Sequence, residues 1–140
     1  MRPTASCLAL VAATSLVACA GNPKPGDPGY AYNLAGSYHA EFVVDGTPYR
    51  GMMDLSTAPG GAVSGSFTVI DPARVEGTVQ GSILADTVAF EMPYEIKDNG
   101  CIGVVYGRHA IAEGGGTFGG DIRLEDSCGG EMTGTATIQR

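Results

Sequence analysis

Ala62-Val63-Ser64-Gly65-Ser66-Phe67-Thr68-Val69 (AVSGSFTV) alternates without a break. Val63, Gly65, Phe67 and Val69 fall on one face, and Ser64, Ser66 and Thr68 on the other. Successive side chains of a strand point to opposite faces, so this period of two is the mark of a half-buried β-strand. Pro59-Gly60-Gly61 before it and Asp71-Pro72 after it are turn residues, which bound the strand on both sides.

The same pattern spreads outward from there. Toward the N-terminus lies a strand over Pro48 to Ser56, with Tyr49, Gly51, Met53 and Leu55 inward. The hairpin signal Asp45-Gly46 joins it to a strand over Gly36 to Val44, with Tyr38, Ala40, Phe42 and Val44 inward. Toward the C-terminus, Val75 to Ile83 places Val75, Gly77, Val79, Gly81 and Ile83 inward, and Thr87 to Ile96 does so with Val88, Phe90, Met92, Tyr94 and Ile96. Pro93 lies on the outer face of that strand and lacks an N–H, so a ladder should break there. Thr117 to Asp126 follows with Phe118, Gly120, Ile122 and Leu124 inward, and Glu131 to Gln139 with Met132, Gly134, Ala136 and Ile138.

The sixth strand, Cys101 to Ala112, is harder to phase. Ile102, Val104 and Tyr106 make an inward set, but continuing the alternation turns Arg108 inward as well. A bulge at Gly107 resolves this by resetting the register and burying Ile111; otherwise a charge enters the core. Eight strands joined by short turns imply nearest-neighbour antiparallel pairing. The expected fold is therefore all-β, an eight-stranded antiparallel up-and-down β-barrel whose closure removes both edges. A two-sheet β-sandwich is the alternative.

The N-terminal residues carry a different message. Arg2 is followed by an apolar run, Ala5 to Ala18, of signal-peptide length and too short to span a bilayer. The run ends in Leu16-Val17-Ala18-Cys19, which resembles the lipobox of bacterial lipoproteins. That resemblance implies cleavage before Cys19, lipidation of Cys19, and stable anchoring by two or three acyl chains. Ala20 follows the cysteine where an Asp is absent, which in Gram-negative lipoproteins fits the outer membrane. The chain then divides into a signal peptide (1–18), a lipidated cysteine with a flexible Pro/Gly tether (19–35) and a barrel domain (36–140).

Without Arg2, 7 basic residues face 15 acidic ones, so the net charge is 7 − 15 = −8. Such a balance argues against nucleic acid and against anionic lipid headgroups, and it favours a soluble monomeric domain. The 22 glycines and the absence of Trp point to many turns and an all-β domain. Cys7 leaves with the signal and Cys19 takes the lipid, so Cys101 and Cys128 remain. In an exported chain they are expected to form a disulfide; a two-cysteine metal site has no third ligand close in sequence. In a meander both cysteines fall at one end of the barrel, opposite the two termini.

The barrel is similar to the calycin group of lipocalins, avidins and fatty-acid-binding proteins. Gly36-Ser37-Tyr38 stands where lipocalins have Gly-x-Trp, and Arg140 where they place an arginine over that tryptophan. The signature between lipocalin strands six and seven is missing, and an avidin-type biotin pocket needs tryptophans that this chain lacks.

No catalytic constellation is visible. His39 and His109 read as surface residues, Glu91 and Glu95 as outward solvent groups, and Gly114-Gly115-Gly116 as a turn without the Lys and helix of a phosphate loop. Asp121, Glu125, Asp126 and Glu131 form an acidic rim without calcium-loop spacing. No metal and no cofactor is expected. The candidate ligand-facing set is Tyr38, Phe42, Phe67, Phe90, Tyr106, Arg108 and Phe118. An inward Arg108 would find its partner in the carboxylate of a fatty-acid-like ligand. The leading expectation is a non-enzymatic, lipid-anchored structural or interaction module of the cell envelope, and the alternative is a binding protein for a small apolar ligand. A cavity at the disulfide end would favour the alternative; a packed barrel with an exposed apolar patch would favour the first.

The anchor has its own test. Metabolic labelling with a radioactive fatty acid should mark the wild type, while Cys19→Ala should persist as an unlabelled precursor. Label retained on Cys19→Ala would contradict the assignment.

Overall fold

The computed structural model describes residues 21–140, so Cys19 and the signal expected before it lie outside the described residues. Eight strands follow in order: β1 (Gly36–Val44), β2 (Thr47–Thr57), β3 (Ala62–Asp71), β4 (Val75–Leu84), β5 (Thr87–Ile96), β6 (Ile102–Ala110), β7 (Thr117–Asp126) and β8 (Gly130–Gln139). Each pairs antiparallel with its neighbour, and β1 closes on β8 through Ala40–Ile138 and Phe42–Ala136. The protein is a closed eight-stranded barrel; the sandwich is set aside because closure leaves no second sheet.

The inward sets of seven strands are those the alternation names. Two irregularities have local causes. The β4–β5 ladder runs through Gly77–Tyr94 and resumes only at Gln80–Glu91, skipping the stretch where Pro93 has no N–H to give. In the β2–β3 pair, Arg50 faces Asp71 and Gly51 faces Val69, which leaves Ile70 as a bulge residue on the outside, 74% exposed.

β6 corrects the sequence reading. Its inward residues are Val105 and His109, flanked by the buried Cys101 and Ile111, while Ile102 is exposed and Tyr106 and Arg108 stand on the outer wall. No bulge at Gly107 is needed; the whole strand takes the opposite phase. The reason lies on β5. Phe90 pairs with Gly81 on one side and Gly107 on the other, and Tyr94 with Gly77 and Gly103. A Cβ at Gly107 would stand 2.5 Å from the Phe90 ring, and one at Gly103 2.5 Å from the Tyr94 ring. The opposite phase would set Val104 and Tyr106 among those rings.

The phase has one polar consequence. His109, expected on the surface, is buried. Its Nε2 lies 2.9 Å from the Asp121 carbonyl, which only accepts, so Nε2 carries a proton. Nδ1 is the one buried side-chain polar atom without a partner among the described residues. The ring meets Phe90 edge-on at 5.0 Å, where Gly120 leaves it room.

The segment read as a flexible tether also differs. From Lys24 it folds through successive turns across the end of the barrel where the chain termini lie. Leu34 is fully buried, and its amide and carbonyl bind the Thr57 hydroxyl. Asn33 braces the turn through the Gly26 amide and the Asp27 carbonyl. Tyr30 donates to the Ala85 carbonyl and the Gly114 amide to the Ala31 carbonyl, so the cap grips the β4–β5 and β6–β7 turns. Beneath it, Tyr38 donates to the Gly115 carbonyl at 2.8 Å, and the Arg140 guanidinium bonds the Tyr38 hydroxyl at 3.0 Å while covering its ring. The prolines and glycines of this segment shape turns rather than slack.

Cys101 and Cys128 form the disulfide at the opposite end, with Cα atoms 5.8 Å apart. They are 27 residues apart in sequence. On the chain-entropy estimate, replacing both by Ser should lower unfolding stability by about 3.5 kcal/mol. Urea denaturation of the two proteins measures it, and an unchanged midpoint would contradict the estimate.

Candidate functional site

The interior divides into two halves of different character. At the capped end it is filled: Leu34, Tyr38, Met53, Val88 and Ile138 are all essentially inaccessible. Phe118 meets Tyr38 at 5.9 Å and Phe90 at 6.4 Å, both edge-to-face, the arrangement that aromatic quadrupoles favour. Toward the disulfide end the inward positions change to Val44, Val69, Val75 and Val105, whose short side chains stop before the barrel axis. A cavity of about 350 Å³ opens there, at the small end of the range for ligand pockets.

Phe42 and Phe67, with rings 5.9 Å apart, are its deepest aromatics. Tyr49, Tyr94, Ile96, Leu124 and Met132 complete the wall, and Asp45, Thr47 and Asp126 stand at the rim. The mouth lies between the turns of the disulfide end, away from the cap.

Of the residues expected to face a ligand, Phe42 and Phe67 line the cavity. Tyr38, Phe90 and Phe118 belong to the filled half instead. Tyr106 and Arg108 are on the outer wall, beside a shallow depression across β4 to β7; there the Arg123 guanidinium lies 4.6 Å over the Tyr106 ring. Arg108 therefore cannot meet a carboxylate inside the barrel. The rim pair that sequence reasoning passed over is Tyr94 and Asp126. Tyr94 was legible as an inward residue, but nothing in the order of residues sets it against a carboxylate 32 positions away.

That pair is the polar centre of the site. The Tyr94 hydroxyl donates to Asp126 Oδ2 at 2.6 Å. Oδ1 accepts from the amides of Cys128 at 2.7 Å and Gly129 at 2.9 Å. Burial raises the Asp126 carboxyl, but the three donors outweigh it, so it titrates below its ordinary value. Burial first, and then the adjoining carboxylate, push the Tyr94 phenol well above its ordinary value. At neutral pH the pair is a neutral phenol on an ionised carboxylate.

The other acidic groups do not converge on a site. Glu125 and Glu131 both bind Arg123 on the outer wall. Asp126 lies within 4.8 Å of both cysteine sulfurs, but those sulfurs are bonded to each other. His39, Glu91 and Glu95 are exposed.

Because the folded carboxyl of Asp126 titrates below the unfolded one, the unfolded state binds the proton first as pH falls. Its contribution is complete above the unfolded value and is lost as pH drops through the folded one. The stability gap between wild type and Asp126→Asn should thus be constant from neutrality down to about pH 5 and shrink below about pH 4. Urea midpoints across that range decide it; a gap that widens in acid would contradict the assigned shift.

No known protein family matches the chain, and no curated protein matches it either. Solved structures do. A redesigned β-barrel, mFAP1, bound to DFHBI, has a TM-score of 0.57 at 17% identity, covering 76% of this chain and 94% of its own. EF1p2_mFAP2b bound to DFHBI has a TM-score of 0.59 at 12% identity, covering 76% and 93%. A second redesigned barrel, b11L5F_LGL, has a TM-score of 0.55 at 19% identity, covering 76% and 90%. At these identities the likeness is one of fold: the chain is similar to compact barrels produced by design.

Proposed function

We propose that this protein is a non-enzymatic binding protein that takes a small apolar molecule into the open half of its barrel. The observation that carries the reading is the cavity itself, about 350 Å³, walled mostly by apolar side chains and lying toward the disulfide end. A preformed space of that size is costly to keep where a core could be filled, since each missing contact forfeits packing energy. The DFHBI bound by two barrels of similar fold supports the reading, since a frame of this kind accommodates a small ligand there. The interaction-module reading draws less support. The exposed large apolar residues Met52, Ile70, Leu84 and Ile102 are spread over β2, β3, β4 and β6 and over both ends of the barrel.

The lipobox resemblance adds a location: the outer membrane, through acyl chains on Cys19. With the cap ordered from Lys24, only residues 20–23 separate the anchor from the folded domain. Four extended residues reach about 14 Å. The capped end then rests against the bilayer, and the mouth of the cavity faces away from it.

Titration of the full-length chain with the uncharged fluorophore N-phenylnaphthylamine tests the binding reading. Saturable enhancement at one site is expected, with affinity reduced at least about tenfold in Val105→Phe and in Val69→Phe, which fill the cavity. Absence of saturable binding, or full affinity in both folded variants, would contradict it.

A further inference from the structure

We infer that the apolar molecule taken by this cavity carries a protonated amine, seated on Asp126 at the rim, and that carboxylates are excluded. The inference rests on the reading of the cavity as a ligand site and adds the chemistry of the head group.

Charge comes first. The cavity lining holds two carboxylates, Asp45 and Asp126, and no basic side chain. The basic residues of that end are turned to the outer wall and committed there: Arg50 to Glu41, Arg74 to Glu76, Lys97 to Glu95 and Arg123 to Glu125. A fatty-acid-like head would bring a third negative charge to this rim with no cation to meet it. An ammonium meets opposite charge, and in a partly dehydrated mouth that attraction is stronger than in water.

The hydrogen bonds at the rim favour the same head group. An ionised carboxylate offers about four acceptor sites. Asp126 uses three of them, for the amides of Cys128 and Gly129 and for the Tyr94 hydroxyl. The remaining site is on Oδ2, the oxygen that faces Tyr94. The Tyr94 proton is spent on Asp126, so its oxygen too is left as an acceptor. The pair therefore presents two acceptors and no donor, which suits a head with several N–H groups. Thr47 and Tyr49 add neutral hydroxyls that can serve either partner. The placement at the rim lets the ammonium keep part of its hydration while the apolar body lies on the valines below.

The test is competition against N-phenylnaphthylamine at neutral pH by decylamine, decanol and decanoate, which share one apolar chain. In the wild type the order of affinity should be decylamine, decanol, decanoate, with at least about tenfold between the first and last. In Asp126→Asn the amine-to-carboxylate ratio should fall to within about threefold, while Tyr94→Phe, which keeps the charge, should retain the preference. Decanoate displacing the fluorophore from the wild type as well as decylamine does would overturn the inference and leave the cavity reading standing. An unchanged ratio in Asp126→Asn, or a ratio lost in Tyr94→Phe, would overturn the assignment to Asp126. If the fluorophore itself does not bind, the cavity reading fails first.

Discussion

The phase of β6, and with it the placing of Cys101, Arg108 and His109, depends on how two aromatic rings of β5 are housed. Phe90 and Tyr94 each lie between glycines on both neighbouring strands, and their rings occupy the space that Gly107 and Gly103 of β6 leave. The arrangement is steric, and it acts as a phase lock. Once Gly103 and Gly107 must face inward, β6 has a single permitted orientation, since a one-residue slip sends every side chain to the other face. Cys101 is then placed to reach Cys128, Arg108 is sent outside, and His109 is drawn in.

The burial of His109 is the cost of that lock. One ring nitrogen finds a carbonyl and the other finds nothing, and an unmet buried polar group destabilises a fold by about 1–3 kcal/mol. The loss is tolerated because the alternative phase would place Val104 and Tyr106 beside the β5 rings and turn the guanidinium of Arg108 inward, a larger penalty. The two ends of the barrel divide the remaining work. At one end the Tyr38–Arg140 contact and the Leu34 cap fill and seal the interior; at the other the valines leave it open, and a disulfide ties the rim together. A cavity results where packing stops, with Asp126 fixed at its edge by three donors.

The alternation in AVSGSFTV and its seven companions was enough to read the barrel, because a half-buried strand writes its two faces into consecutive residues. The disulfide was legible for the same reason: strand parity puts both cysteines at one end. β6 was not, because its apolar residues favour the wrong face. Ile102, Val104 and Tyr106 outnumber Val105 and Ile111 as hydrophobes, and the deciding term is the fit of Gly103 and Gly107 to rings on another strand. That term becomes visible only when facing positions are read in pairs. The cap was missed because prolines and glycines mark turns and slack alike, and only the contacts of Leu34 and Tyr30 tell them apart. The site was half legible: Phe42 and Phe67 follow from alternation, whereas the Tyr94–Asp126 bond joins residues whose proximity exists only after the barrel has closed.

On the proposed reading, one half of the interior is packed and the other receives a ligand. Methyl chemical shifts followed by NMR while N-phenylnaphthylamine is added test it most directly. The methyls of Val44, Val69, Val75, Val105 and Leu124 should move together along one saturating curve, while those of Leu34, Ile83, Val88 and Ile138 stay in place. Movement of the second group as large as that of the first, or no movement in either, would contradict it.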